Sequence, residues 1–145
     1  MTTRPGAAAV ARLCDLPPLE QRLVRYLRLW SSGWEGQAEV WEDLVERHGP
    51  AIGRSAAGQL DRLIRMAAVH ARRPLQCHAP ACPCAGGDEC ALGRIVGLAT
   101  EGAREDAVLM AALLVRPDMA LGLARDAEAL GLTLSRNRGR PVLCH

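Results

Sequence analysis

The stretch Cys77–Cys90, CHAPACPCAGGDEC, divides the chain into two runs of helical sequence, and both fold and function depend on it. It holds four of the six cysteines of a 145-residue chain, and we call it the cysteine loop. Pro80 and Pro83 stiffen the loop and reduce the conformational entropy lost when it becomes ordered. A glycine pair followed by Asp88 then predicts a turn and the N-cap of the next helix.

Three helices are predicted before the cysteine loop, within residues 15–74. Asp15 is the expected N-cap of the first, which has an apolar stripe at helical spacing from Leu16 to Trp30. Its arginines lie largely off that stripe: Arg22, Arg25 and Arg28. The second helix runs from about 34 to 47 and is acidic, whereas the third covers roughly 52–72 and is basic.

Three more helices are predicted in the half that follows, residues 91–145. The first of them already begins at Glu89, near the end of the cysteine loop. The next lies near 103–115. The sequence DAVLMAALLV in this second helix is apolar on nearly every side, which predicts the most buried helix of the fold. The last begins at Pro117 and runs to Leu130, with Gly131 as its C-terminal stop. Residues 132–135, LTLS, are expected to form a short strand or an extended tail.

The composition favours packed helices. Apolar residues make up 49% of the chain and aromatic residues only 3%, with no Phe, so the core must be built from aliphatic side chains. We therefore predict an all-α fold of about six helices with a central metal-binding loop. A single domain over residues 15–145 follows a flexible leader at 1–14.

Charge and hydropathy weigh against several classes of protein. The net charge of +2 is too small to indicate nucleic-acid binding by itself. No apolar run reaches the roughly 18 residues that span a bilayer, and the N-terminus is a poor secretory signal. The cytoplasm is the expected compartment, and there thiols stay reduced. Clustered cysteines then indicate metal or redox chemistry more than disulfides.

The cysteine spacing predicts a metal site. Thiolates must converge at about 2.3 Å from one ion, and a short loop can deliver them. In an extended segment Cys82 and Cys84 point the same way, and the positive end of a helix dipole favours the thiolate of Cys90. The predicted ligands are Cys77, Cys82, Cys84 and Cys90, with His78, Cys144 and His145 as substitutes. Structural zinc is the expected metal for such a site.

The second part of the loop, CPCAGGDEC, resembles the [2Fe–2S] loop of the MerR-type superoxide and redox-cycling sensor in its C-x-C-x5-C spacing. That family places its first cysteine three positions before the C-x-C pair, whereas Cys77 stands five positions before Cys82. The resemblance implies that a [2Fe–2S] cluster is an alternative to zinc on the same cysteines. A regulatory thiol–disulfide pair and simply buried cysteines also remain open.

Other functions have weaker support. Helices two and three could form a DNA-binding helix-turn-helix through the arginine-rich third helix, but the acidic second helix would cancel its potential. The three tryptophans Trp30, Trp34 and Trp41 are expected in the core, and exposure would instead mark a partner surface. No catalytic motif is recognised. We therefore predict a non-catalytic, metal-binding protein with a regulatory or protein-interaction role.

Overall fold

The structure is a computed structural model that describes residues 6–136, and these form six α-helices and two short β-strands. The elements in chain order are β1 (Ala9–Arg12), α1 (Pro18–Ser31), α2 (Trp34–His48), α3 (Pro50–His70), β2 (Cys84–Gly86), α4 (Gly87–Glu101), α5 (Arg104–Leu114) and α6 (Ala120–Leu134). The all-α prediction is confirmed, with three helices before the cysteine loop and three that follow β2.

Helix α4 lies at the centre of the fold, where it packs against α1, α5 and α6. Its side chains Leu92, Ile95 and Val96 are at most 1% exposed. The sequence predicted that α5 would be the most buried helix. It buries only part of its surface, since Leu109 and Leu113 are exposed. That prediction is wrong, because an apolar sequence does not determine how many neighbours a helix has.

Two predicted N-caps are wrong. Asp15 lies in a 3₁₀ turn formed by Leu13–Asp15, and α1 begins at Pro18, because proline fits the first turn of a helix and disfavours helical geometry in the residue before it. Asp88 lies inside the first turn of α4, whose N-cap is Gly86. A carboxylate is favoured in that turn by the helix dipole.

Helix α6 does not stop at Gly131 but continues to Leu134, so the predicted strand or tail at 132–135 is wrong. Gly131 has a packing role instead of a capping role. A Cβ atom at this position would come 1.8 Å from the Thr100 hydroxyl oxygen on α4. Glycine is therefore needed here because α4 and α6 approach each other closely.

The strands β1 and β2 pair antiparallel, with Arg12 opposite Cys84 and Ala9 opposite Gly86. The backbone N–H of Leu13 adds a hydrogen bond to the Pro83 carbonyl at 2.8 Å. Part of the segment predicted as a leader is therefore a strand of the fold. This strand lies directly on the cysteine loop.

The helices between residues 6 and 136 include none with the length and hydrophobicity that crossing a bilayer requires.

Candidate functional site

The cysteine loop is built around a buried ion pair that joins α1 to α4. The Arg28 Nε donates to Glu89 Oε2 at 2.7 Å, and Arg28 Nη2 donates to Glu89 Oε1 at 3.0 Å. Both side chains are 0% exposed. Burial alone would raise the pKa of Glu89, but the guanidinium and two backbone N–H groups hold it below its ordinary value. The pair is therefore charged inside the protein.

The remaining hydrogen bonds of the pair fix the main chain of the loop. Arg28 donates to the carbonyl oxygens of Cys82 at 2.7 Å and Cys84 at 2.5 Å. Glu89 accepts from the backbone N–H groups of His78 and Gly86, each at 3.0 Å. Each cysteine of the loop either takes part in this arrangement or adjoins a residue that does. The backbone of the loop is therefore held from several sides by the Arg28–Glu89 pair.

A second ion pair holds the approach to the loop. The Arg73 guanidinium binds both carboxylate oxygens of Asp88 at 2.9 Å. Asp88 Oδ2 also accepts from the backbone N–H of Gln76, and the Asp88 N–H donates to the Gly6 carbonyl at 3.1 Å. Asp88 therefore anchors both the residues before the loop and the N-terminal segment.

His78 and Cys82, two of the predicted metal ligands, are in direct side-chain contact. Their Nδ1 and Sγ atoms lie 3.3 Å apart. The other ring nitrogen, Nε2, donates to the carbonyl oxygen of Ala7 at 2.6 Å. The N-terminal segment therefore fixes the orientation of the ring and points Nδ1 at the sulfur.

The electrostatics of this contact favour a thiolate. The hydrogen bond with His78 lowers the pKa of the Cys82 thiol, and the backbone N–H of Cys84 lowers it further. The same contact with Cys82, together with the Ala7 carbonyl, raises the pKa of His78. A thiolate is the form of cysteine that binds metal or acts as a nucleophile.

The other predicted ligands are less closely arranged. Cys90 lies on α4, where burial and the charge of Glu89 raise the pKa of its thiol. Desolvation and Glu89 raise the pKa of Cys77 to about 11. Across residues 6–136, no three side chains of His, Cys, Asp or Glu converge in a way that could hold a metal ion. Cys144 and His145 lie outside the described residues, and the metal site stays a prediction.

A cavity of about 680 Å³ lies next to the loop, between α1, α3 and the start of α4. Apolar side chains such as Leu27, Ile64 and Leu92 line it, and Cys77 and Asp88 lie at its wall. One side of the cysteine loop therefore borders a mainly apolar cavity.

The residues that organise the site were missed by the sequence analysis. Arg28 was placed off the apolar stripe of α1, yet it is only 2% exposed. It follows Glu20 and Val24 at intervals of four, and all three are buried. Helix α1 therefore has a second buried face, which is directed at α4. The apolar spacing of the sequence does not reveal this face, because two of its three residues are charged. Ala7 carries no sequence signal, because only its carbonyl oxygen is used.

A polar cluster on the other side of α1 ties α2 to the end of α6. Arg22 donates to the Tyr26 hydroxyl at 2.8 Å, and that hydroxyl donates to Asp43. Arg22 also donates to Nε2 of His48 at 2.7 Å, while His48 Nδ1 donates to the carbonyl of Arg136 at 2.8 Å. These contacts account for His48 as a buried structural residue.

The tryptophans do not all lie in the core as predicted. Trp30 is partly buried, whereas Trp34 and Trp41 are exposed on α2. On α3, the side chains of Arg54, Arg62 and Arg65 face solvent. Binding of DNA through α3 stays a prediction.

Comparisons with protein-family models, with curated proteins and with solved structures found no match to this chain.

Proposed function

We propose that the protein binds zinc at the cysteine loop and has a non-catalytic, regulatory or protein-interaction role. The contact between His78 Nδ1 and Cys82 Sγ carries the proposal. In a tetrahedral site with Zn–N near 2.0–2.1 Å and Zn–S near 2.3 Å, two such ligand atoms stand roughly 3.6 Å apart. The observed 3.3 Å is close to that separation.

The hydrogen bond from His78 to Ala7 also supports this role. A histidine that binds metal through one ring nitrogen usually donates its other N–H to a carbonyl or carboxylate, which fixes the tautomer. With Nε2–H held by Ala7, the neutral ring keeps its lone pair on Nδ1, beside Cys82. Zinc binding would displace the proton shared by the two side chains, so affinity should increase with pH.

The two further ligands must come from the remaining predicted residues, which are Cys77, Cys84, Cys90, Cys144 and His145. Cys84 lies two residues after Cys82, and its backbone N–H already contacts the Cys82 sulfur. Mixed nitrogen and sulfur ligands suit zinc, whereas the [2Fe–2S] alternative uses four thiolates. The His78 contact therefore favours zinc.

Arg28, Glu89 and β1 hold the backbone of the loop through hydrogen bonds that do not use the thiol groups. We therefore expect zinc to order the thiol side chains and not to drive folding. This differs from small zinc domains, in which metal binding and folding are one event.

Metal analysis of protein purified without oxygen tests the proposal. We expect about one zinc per chain and no visible colour in the wild type, as in four-coordinate thiolate and imidazole sites. The variants Cys82→Ser and His78→Gln should lose at least about tenfold in zinc affinity. Cys14→Ser is the matched control, because Cys14 is exposed and its thiol lies against Asp15.

Thermal unfolding in the presence of a chelator separates metal binding from folding. Zinc-free wild type and zinc-free Cys82→Ser should unfold cooperatively at the same temperature. A brown protein with absorbance in the visible range would establish the [2Fe–2S] alternative. Wild-type protein that contains no metal and binds no added zinc would refute metal binding at the loop.

A further inference from the structure

Helix α2 exposes an apolar stripe at its outer face. Trp34 is 76% exposed and Trp41 is 40% exposed, although tryptophan is among the side chains with the most apolar surface to bury. They are seven positions apart, and the exposed Ala38 lies between them, so all three share one side of the helix. We call Trp34, Ala38 and Trp41 the tryptophan stripe.

Acidic side chains flank the tryptophan stripe on one side. Those exposed on α2 are Glu35, Glu39, Glu42 and Glu46. Among the ion pairs between residues 6 and 136, none involves the first three of them. Their charges are not neutralised by those ion pairs, so the stripe is an apolar surface beside a row of negative charge.

Helix α3 carries the complementary surface. An open groove of about 470 Å³ runs along it from Gly58 to His70, with Met66 and Val69 among its apolar contacts. Val69 is 74% exposed. Arg62, Arg65 and Asp61 line the same groove, which we call the α3 groove, and Asp61 pairs with Arg65 at 2.7 Å. The groove combines apolar contacts with a net positive charge, since it holds two arginines and one aspartate.

The stripe and the α3 groove are neighbours on one surface. Trp30 links them, since its carbonyl accepts a hydrogen bond from Gln37 of α2 at 3.1 Å. Its ring Nε1 donates to Asp61, a residue of the α3 groove, also at 3.1 Å. Helices α2 and α3 pack against each other. Gly53 of α3 lies against the backbone of α2, where an added Cβ atom would be 3.0 Å from the Val45 backbone nitrogen.

We propose that this surface pairs two copies of the chain about a two-fold axis. A two-fold interface requires one patch that is complementary to itself. Here a rotation of 180° places the acidic tryptophan stripe of one copy against the basic α3 groove of the other, twice. The face comprises α2, which is about 22 Å long, and the adjoining α3.

A second copy fits this surface better than nucleic acid does. Phosphates would be drawn to Arg62 and Arg65 but repelled by the glutamates on the adjoining helix. Burial of the tryptophans requires an apolar surface, which the α3 groove supplies through Val69 and Met66. Both halves of the interface are therefore present in one chain.

Sedimentation velocity of the full chain, from 1 to 200 µM, measures this association. Reduced protein is used with a chelator, so the result does not depend on the proposed zinc site. The wild type should form dimers that weaken as salt is added. Trp34→Gln and Val69→Gln should each weaken the dimer at least tenfold. Leu109→Gln, which removes an exposed apolar residue from α5, is the matched control and should leave dimerisation unchanged.

A charge exchange gives the sharper test. One variant carries Glu35→Arg, Glu39→Arg and Glu42→Arg, and the other carries Arg62→Glu and Arg65→Glu. Each variant alone should be monomeric, because its two surfaces then have the same sign. An equal mixture should form a one-to-one heterodimer. A wild type that is monomeric at 200 µM, or variants that stay monomeric when mixed, would overturn the proposal, as would loss of the dimer in Leu109→Gln alone.

Discussion

Arg28 and Glu89, which are 61 residues apart in the chain, form a fully buried ion pair that supports the main chain of the cysteine loop at four points. A buried pair costs several kcal/mol of desolvation per ion, and only good geometry with further hydrogen bonds offsets that cost. The loop carbonyls and N–H groups supply those bonds. The pair and the loop therefore stabilise each other.

Replacement of Glu89 by Gln should be strongly destabilising. It leaves the Arg28 charge buried without compensation, which costs about 3–5 kcal/mol in comparable cases. Asp88→Asn is the matched control at the neighbouring position. It should cost only about 1–2 kcal/mol, because its partner Arg73 is 41% exposed and is solvated by water. Urea unfolding of both variants measures the difference, and equal losses would contradict the special role of the buried pair.

Removal of residues 1–8 should weaken zinc binding about 10–100-fold. The deletion removes the Ala7 carbonyl that orients His78, and loss of such a supporting hydrogen bond typically has an effect of this size. Removal of residues 1–5 leaves Ala7 in place and is the control. Competition with a zinc chelator gives both affinities. If the longer deletion bound zinc as tightly as the control, the orienting role of Ala7 would be excluded.

Stability should depend on pH through His48. Burial and then the charge of Arg22 lower the pKa of His48, with Arg47 adding to this, while the Arg136 carbonyl and Asp43 oppose it. The folded state thus binds the proton less well than the unfolded state does. The contribution of His48 is complete above pH 6.5 and is lost as the pH falls from there towards the lowered pKa.

The variant His48→Gln isolates this effect, because Gln is neutral and has both a donor and an acceptor. We expect its free energy of unfolding to fall less than that of the wild type between pH 7.5 and 5. The raised pKa of His78 acts in the opposite direction in both proteins and cancels in the comparison. Parallel pH profiles would show that His48 is not the titrating group.

Two glycine-to-alanine variants should have opposite effects. Alanine is favoured over glycine in a helix by about 1 kcal/mol, and Gly58 has open space at its Cβ position, so Gly58→Ala should stabilise the protein. Gly131→Ala should destabilise it by about 1–3 kcal/mol, because the new methyl group would collide with Thr100. Thermal unfolding at low protein concentration distinguishes the two, and stabilisation by both would show that α6 can move away from α4.

Periodicity and composition were sufficient to predict six helices, the acidic character of α2 and the position of the loop between two helical halves. These properties are local, because they depend on residues within a few turns of one another. The ends of helices were less predictable. Gly131 has the sequence character of a stop, but its role depends on Thr100, which lies on a different helix.

The sequence alone determined the fold class and the cysteine spacing, since helix formation and cysteine positions are properties of one segment at a time. Only the tertiary structure decided that Arg28 is buried, that Ala7 orients His78 towards Cys82, and that Trp34 and Trp41 face solvent. Each of these depends on which segments meet. Helical spacing shows which residues share a face but not what that face contacts, and a backbone carbonyl can act as a partner at any residue.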